Sequence, residues 1–343
     1  MSEPISTCLP PETVENLRKA EPFLDINKWN VSHVERVLSI LDTLPPSSVV
    51  RADYELRWVL GLYDASPYGS ELSRQGMYWT RKDISRLTKV PELAYLFLFH
   101  ANGRIRQCAL ERIEKGARSP FFLAAIALRL NDWAAPVRVA ATRCADKVFP
   151  LTDPSIVEAA AYFLLAQRHE WRRWSAIETG PLDRVLQRPD VAALLVHKLA
   201  DSNAGPVGRL FRSALRGPGF DQWLSKLALE ARHPELRKVA LQALIQRNVR
   251  WPSHRERRWT DKSMGRYREA WAFASRPIES DMSVEFALLT AAHDRSAAVR
   301  RVAVVALLTH GRDLAGFDEA AAILIQDKNK VLRERTAYAL QIN

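Results

Sequence analysis

The sequence repeats one pattern about every 32 to 36 residues: an apolar stretch, a polar turn, and a second apolar stretch that opens on an apolar residue followed by arginine. In the clearest copies an aspartate stands six positions before that arginine, as Asp132 does before Arg138. The other two clear copies are Asp294 with Arg300 and Asp327 with Arg333. A unit of this length cannot bury its apolar side alone, so successive units must stack as helix pairs. The offset predicts that the aspartate side chain in the turn binds the arginine in the first turn of the following helix.

Looser copies of the pattern fill much of the remaining sequence. The second helices are expected to open at Ile105-Arg106, Val137-Arg138, Trp171-Arg172, Val207-Gly208, Leu236-Arg237, Val299-Arg300 and Leu332-Arg333. The step from Arg237 to Arg300 is 63 residues, nearly two periods, which predicts one degenerate or replaced repeat there. Where no aspartate precedes the arginine by six positions, as at His100 and Ala231, the turn is expected to be held differently.

These residues resemble the HEAT-repeat family, including its short bacterial form, over residues 92–343. The resemblance implies an all-α solenoid, in which antiparallel helix pairs form a superhelix and the second helices line the concave face. It implies a scaffold rather than a particular reaction.

Residues 1–91 are less regular, and we predict an irregular helical cap, with a partner-binding head as the alternative. A helix is expected from Val31, opened by a capping box of Ser32 and Glu35. Its apolar positions at helical spacing are Val34, Val37, Leu38 and Leu41. A second helix is expected in the stretch from Arg51 to Tyr63, and a loop from Ser66 to Gly76.

Composition supports a large helical core and excludes several classes of protein. The chain has 343 residues and is 47% apolar, with Leu- and Ala-rich helices and no alternating block that predicts a strand. No apolar stretch has membrane-spanning length, so a cytoplasmic protein with no membrane partner is expected. Cys8, Cys108 and Cys144 are too scattered for a metal motif and are expected to be reduced thiols in or near the core. We predict no metal and no cofactor, and the sequence leaves the oligomeric state unknown.

A net charge of +11 makes an acidic partner plausible, and the expected second helices carry most of the arginines. If those helices face inward, the concave face is positive. Arg209, Arg212 and Arg216 are spaced by three and four and share a helix face. The candidate groove residues are Arg173, Arg209, Arg212, Arg216, Lys238 and Arg301. Because repeated guanidinium groups suit regularly spaced phosphates, we predict nucleic acid, DNA rather than RNA, or an acidic protein as the partner. An ordinary solvated surface is the alternative.

A basic and aromatic segment, residues 248–282, lies in the double period. Its basic residues could hold a phosphate backbone while its aromatic rings stack on exposed bases. The candidate residues here are Arg255, Arg257, Arg258, Trp259, Arg266 and Tyr267. One interpretation is an insertion over the binding surface. The other is an ordinary helix whose Trp271 and Phe273 pack between repeats.

The stretch "HEWRRWSAIETG" from His169 looks like the Trp-x-Arg-Arg helix of alkylpurine DNA glycosylases built on HEAT-like repeats. That resemblance implies a pocket in which tryptophans cradle a damaged nucleotide and a carboxylate stabilises charge at the sugar. The matching residues would be Trp174, Glu178, Arg209 and Trp251, with Glu in place of the family's Asp. A second register uses Trp133 and has Val137 where the carboxylate belongs, and core packing of Trp171 or Trp174 is a further alternative.

We therefore predict a non-enzymatic binding scaffold. The alternatives are a DNA glycosylase of the HEAT-like class and a regulatory subunit that binds only protein. The sequence has neither a Gly-rich phosphate loop nor a Gly-x-Ser-x-Gly elbow.

Overall fold

The computed structural model describes residues 9–19, 30–62, 74–168 and 170–342, without the side chains of residues 18, 19 and 74–81. This part of the chain is mostly helical, with eighteen α-helices and one two-stranded antiparallel sheet. No described helix combines the length and the apolar character needed to cross a membrane. Contacts divide the chain into two compact units, Met1–Val185 and Leu186–Asn343. The predicted boundary between cap and repeats, at residues 91 and 92, lies inside the first unit.

The first unit begins with helices of the predicted cap region and continues with helix pairs. Its helices are α1 (Pro11–Lys19), α2 (Val31–Asp42), α3 (Val49–Val59), α4 (Arg74–Lys89), α5 (Leu93–Phe97), α6 (Gly103–Leu110), α7 (Pro120–Leu130), α8 (Ala135–Val148), α9 (Pro154–Gln167) and α10 (Ala176–Leu186). Helix α7 is apolar except for Arg129, and it is buried because α2, α3, α8 and α9 all pack against it.

The second unit contains the remaining helix pairs and the sheet. Its elements are α11 (Pro189–Asp201), α12 (Val207–Ala214), α13 (Leu224–Glu230), α14 (Pro234–Gln246), β1 (Asn248–Asp261), β2 (Arg266–Pro277), α15 (Val284–His293), α16 (Ala297–His310), α17 (Phe317–Leu324) and α18 (Lys330–Ile342). From α13 onward each helix packs against the next one, and α14, α15 and α16 also pack against the one after that. Several helices of both units begin with proline, which lacks the N–H that a first helical residue leaves unpaired.

The repeat arginines bridge successive turns. In Arg237, Nη1 donates to the main-chain oxygens of Ala231 and Arg232 at 2.8 and 3.0 Å. Its Nε and Nη2 donate to the two carboxylate oxygens of Asp294 at 2.6 and 2.9 Å. Arg300 repeats the arrangement, with its Nε and Nη2 on the carboxylate of Asp327 at 2.5 and 3.0 Å. Each guanidinium group therefore ties its own turn to the turn of the following helix pair.

The predicted partner of each turn aspartate is therefore wrong. Arg138, Arg300 and Arg333 contact the aspartate six positions earlier through its main-chain oxygen, at 2.9, 2.9 and 2.5 Å. Every residue has this oxygen, which is why Arg106 holds His100 in the same way at 2.8 Å. The turns at His100 and Ala231, which lack the aspartate, are thus not held differently. The carboxylates reach back to the preceding pair instead, and we call the contacts Arg106–Asp132, Arg237–Asp294 and Arg300–Asp327 the ladder.

Burial and hydrogen bonding act on the ladder carboxylates in opposite directions. Burial alone would raise the pKa of Asp294, but the hydrogen bonds from Arg237 and from the Ser296 N–H hold that pKa below its ordinary value. For Asp327 the hydrogen bond from Arg300 is the largest cause, and its pKa is likewise lowered. These carboxylates are therefore charged partners of the arginines at neutral pH.

Strands β1 and β2 form a hairpin, Asn248–Pro277, inserted between α14 and α15. Helix α14 packs directly against α15 and α16, so the helices on either side remain neighbours. When the 30 hairpin residues 248–277 are left out, the 63-residue step between Arg237 and Arg300 becomes 33 residues, as between Arg300 and Arg333. The expectation of a degenerate or replaced repeat is wrong, because a regular step is interrupted by an insertion. The expectation of no strand, and the alternative of an ordinary helix around Trp271, are also wrong.

Two local predictions need correction and one is confirmed. The residues Trp171-Arg172 do not open a helix, because α10 begins only at Ala176. Helix α2 is capped by Asn30, whose side chain accepts from the His33 N–H at 3.0 Å, and not by Ser32. Glu35, the expected partner of Ser32, binds Arg118 instead. The apolar positions expected to be buried in α2 are buried: Val34, Val37, Leu38 and Leu41.

Two predictions fall partly outside the described residues. The predicted loop is described only from Arg74 to Gly76, which lie in the first turn of α4. Of the cysteines, Cys144 is buried and Cys108 half-buried, while Cys8 lies outside the described residues. Burial raises the pKa of the Cys144 thiol to about 12, which makes it an unreactive core thiol.

Candidate nucleic-acid interface

The hairpin consists of two long strands joined by a tight turn. With 14 residues, β1 is about 45 Å long at roughly 3.3 Å per residue. At the tip the Asp261 carboxylate accepts from the N–H groups of Ser263 and Met264, at 2.9 and 3.1 Å. Gly265 has a φ of 65°, which favours glycine at this position. The turn is thus specified by the sequence "TDKSMG" itself.

The paired strands place their side chains alternately on two faces. Arg255 lies opposite Trp271 and Trp259 opposite Tyr267, with irregularities between Pro252 and His254 and between Trp259 and Asp261. The extra residue at a bulge has no cross-strand partner. We therefore assign each residue to a face together with its cross-strand partner. One face, which we call the arginine–aromatic face, consists of Arg250, Pro252, Arg255, Arg257, Trp259, Tyr267, Glu269, Trp271, Phe273 and Ser275.

On the arginine–aromatic face, guanidinium groups lie over aromatic rings. The guanidinium carbon of Arg257 is 4.6 Å from the centre of the Tyr267 ring, and that of Arg255 is 5.1 Å from Trp271. Trp259 meets Tyr267 edge to face at 5.6 Å. Trp259 and Phe273 are each 52% exposed and Tyr267 is 44% exposed. Exposed rings beside cations on one face form a surface suited to an unpaired base and its phosphate.

The charges on the hairpin are only partly paired. Arg255 forms an exposed ion pair with Glu269 at 3.3 Å, and Arg258 forms one with Glu256 at 2.8 Å. Exposed pairs of this kind contribute about 0–1 kcal/mol and separate easily. The second face of the hairpin carries Arg258, Arg266 and Arg268 near the tip and alanines toward the base. Within the described residues, Arg266 and Arg268 form no ion pair, so the tip is positive on this face.

The hairpin base is anchored to the helices around it. Arg276 donates to both carboxylate oxygens of Asp221, at 2.6 and 2.7 Å, and to the main-chain oxygens of Leu215 and Gly217. Arg247 donates to the main-chain oxygens of Ser280 and Met282 at 3.0 and 2.6 Å. The base of the hairpin is therefore fixed on the second unit.

The predicted groove residues of the second unit differ in their surroundings. Arg216 donates from Nη2 to the Pro252 oxygen at 3.1 Å, so it also anchors the hairpin. Lys238 is 3.3 Å from the Glu235 carboxylate, so its charge is partly neutralised. Arg209 and Arg301 are exposed and form no ion pair within the described part of the chain. Arg173 belongs to the first unit, where its main-chain N–H donates to Asn131. A common role for these residues stays a prediction.

A half-open pocket lies at the base of the hairpin, with a volume of about 230 Å³. Its polar lining is supplied by Arg212, Gln242, Gln246, Asn248 and Arg250. Its apolar lining is supplied by Leu215, Val239, Ala243, Val249 and Phe273. Sequence reasoning missed Gln242, Gln246 and Asn248. The sequence feature that could have identified them is a pair of glutamines four positions apart on α14, followed by the first residue of β1.

The residues proposed for a glycosylase pocket are divided between the two units. Trp174 is only 8% exposed and packs edge to face against Trp171 at 4.5 Å. Glu178 binds Ser175 through both the hydroxyl and the main-chain N–H, and lies 3.9 Å from Nε of Arg138. Core packing of Trp171 and Trp174 is thus what the structure shows. Trp251, in β1, is half-buried, and convergence of the four residues stays a prediction.

Comparisons with protein-family models, with curated proteins and with solved structures find no match to this chain. The likenesses to HEAT repeats and to alkylpurine glycosylases therefore rest on residue patterns alone. Among the described residues, no group of three or more His, Cys, Asp or Glu side chains could hold a metal ion.

Proposed function

We propose that this chain is a non-enzymatic scaffold of HEAT-like helix pairs whose hairpin binds single-stranded nucleic acid. The observation that carries the proposal is the arginine–aromatic face, on which Trp259, Tyr267 and Phe273 are exposed beside arginines. Stacking contributes about 1–3 kcal/mol per base and requires bases that are not already paired in a duplex. Single strands offer such bases.

The HEAT-like part of the proposal is supported by the ladder and by helix packing within each unit. Three ladder contacts recur with the same atoms, Nε and Nη2 on both carboxylate oxygens. The 33-residue step that remains without the hairpin is typical of a stacked repeat. A stacked scaffold gives a protruding hairpin a rigid base.

Fluorescence anisotropy with single- and double-stranded DNA of one sequence, at several salt concentrations, tests the proposal. We expect tighter binding of the single strand and a loss of affinity with salt, because each phosphate contact releases a counterion. Trp259→Ala should weaken binding roughly 5- to 150-fold, the equivalent of about 1–3 kcal/mol of stacking. Phe286→Ala, which truncates an exposed ring on α15, is the matched control and should leave affinity unchanged.

Preferred binding of the duplex, or equal affinities of the Trp259→Ala variant and the wild type, would contradict the single-strand proposal. No binding of either DNA form, or of RNA of the same sequence, at low salt would contradict a nucleic-acid partner altogether. It would favour an acidic protein partner, because the net charge of +11 would remain to be accounted for. RNA of the same sequence, run in parallel, tests the expected preference for DNA.

Base excision is not part of the proposal, because Trp174 is packed in the core and Glu178 already binds Ser175 and lies near Arg138. A carboxylate helps glycosidic cleavage only where it lies next to the developing charge. Incubation with DNA containing 7-methylguanine should therefore release no base. Release by the wild type that is lost in Glu178→Gln would establish the glycosylase alternative instead.

A further inference from the structure

The pocket at the hairpin base contains hydrogen-bonding groups with no partner among the described residues. Within the described residues, the side-chain amides of Gln242, Gln246 and Asn248 make no hydrogen bond, although all three residues are half-buried. An amide group offers both donors and an acceptor, which is what the edge of a nucleobase requires. Three such amides around one pocket can read one base.

Arg212 supplies a cation at the wall of the same pocket. Its guanidinium group forms no hydrogen bond or ion pair within the described residues, although the residue is half-buried. Burial lowers its pKa, and the charge of Glu235 only partly offsets this effect. A cation that has lost water without gaining a hydrogen-bonded anion is a favourable position for a phosphate.

Phe273 and Arg250 join the pocket to the arginine–aromatic face. Both line the pocket, and the guanidinium carbon of Arg250 is 5.4 Å from the centre of the Phe273 ring. The Phe273 ring is 52% exposed and thus still available for contact with a base. A strand that stacks along the hairpin therefore meets the pocket at the hairpin base.

We propose that this pocket holds one nucleotide of the bound single strand, with its phosphate on Arg212 and its base edge on Gln242, Gln246 and Asn248. This proposal rests on the proposed function, since it assigns one subsite within the same interface. The pocket volume of about 230 Å³ suits one nucleotide unit rather than a stretch of several. The subsite would give the protein a base preference that stacking alone does not provide.

The experiment measures the affinities of the wild type and three variants for oligo(dA), oligo(dC) and oligo(dT) at several salt concentrations. Arg212→Met should weaken the binding of all three about tenfold and reduce the salt slope by about 0.7, because one phosphate contact is lost. Gln242→Ala should remove a base preference of about fivefold or more, the equivalent of one lost amide contact. Arg312→Met, which removes an exposed cation outside the pocket, is the charge-matched control.

Ultraviolet cross-linking with peptide mapping locates the base. We expect a cross-link at Phe273 in the wild type that disappears in Arg212→Met, while cross-links at Trp259 persist. Equal affinity and slope in Arg212→Met and Arg312→Met, or equal binding of the three oligonucleotides by the wild type, would overturn the subsite.

The experiments distinguish a failure of the subsite proposal from a failure of the hairpin proposal. If Trp259→Ala weakens binding but Arg212→Met does not, the hairpin proposal survives without the subsite. If the wild type binds no single strand, both fail. Folding is checked by thermal unfolding, and since Arg212 makes no hydrogen bond within the described residues, Arg212→Met should unfold at the wild-type temperature.

Discussion

Replacing Asp294 by alanine tests the ladder most directly. The Asp294 and Arg237 side chains are 7% and 5% exposed, and both carboxylate oxygens accept hydrogen bonds from Arg237. Alanine would leave the guanidinium group buried without its anion, and the N–H of Ser296 without its acceptor at 2.7 Å. Breaking a buried pair in this way costs about 3–5 kcal/mol. Because domains are commonly stable by only about 5–15 kcal/mol, the loss should be measurable.

Urea unfolding followed by circular dichroism gives this free energy. Asp318→Ala is the matched control, because its pair with Arg312 is exposed and should contribute about 0–1 kcal/mol. A double-mutant cycle then identifies the partner of Asp294. We expect strong coupling with Arg237 and weak coupling with Arg300, since Arg300 binds the main-chain oxygen, which alanine also has. Equal losses in the two aspartate variants, or stronger coupling with Arg300, would refute this account of the ladder.

Three further predictions concern acid, the hairpin and a glycine. The pKa values of Asp294 and Asp327 in the folded protein lie below the ordinary value of about 3.9. The ladder therefore stabilises the folded state fully above that pH. This contribution is lost as the pH falls through the lower pKa values of the folded state. Acid titration of unfolding should show a weaker pH dependence in Asp294→Ala, and identical profiles would contradict it. Replacing residues 248–277 by a short Gly-Ser link should abolish single-strand binding. It should leave the helical content unchanged, because the two ends to be joined are already close: the Ile278 N–H donates to the Arg247 oxygen at 3.1 Å. Loss of helix signal would show that the stack depends on the hairpin. Gly208→Ala should lower the free energy of unfolding in urea by about 1–3 kcal/mol, because the added Cβ would lie 2.8 Å from the Cβ of Glu235. A variant more stable than the wild type would contradict this close approach.

The helix pairs were predictable because their signal is local. An apolar residue followed by arginine marks the start of α6, α8, α14, α16 and α18, where the structure indeed has helices. The same rule failed at Trp171, where the chain forms a turn before α10. The two tryptophans there pack against each other instead of continuing a helix. Bulky side chains that meet through tertiary packing overrode the local pattern.

The ladder partners could not be read from spacing. An aspartate six positions before an arginine does contact it, but through its main-chain oxygen, which accepts a hydrogen bond from the guanidinium group. The carboxylate, however, pairs with an arginine 26 residues away in Arg106–Asp132 and 57 away in Arg237–Asp294. Only the packing of helices that are far apart in the sequence brings these groups together. The pocket was missed for the same reason, since Arg212 and Phe273 are far apart in sequence and meet at the hairpin base.

The helices tolerate the inserted hairpin because lengthening the connection between α14 and α15 costs little free energy. Between Gln246 and Val284 the chain has 37 residues, and without the hairpin it would have seven. Lengthening a connection by this factor costs only about 1.5 kcal/mol of loop-closure entropy, since each doubling costs about 0.6 kcal/mol. The helices on the two sides pack directly, α14 against α15 and α16, and breaking the buried Arg237–Asp294 contact between them should cost about 3–5 kcal/mol. The helices therefore stay packed across the insertion, and substitutions on the exposed hairpin should leave the helices beneath it undisturbed.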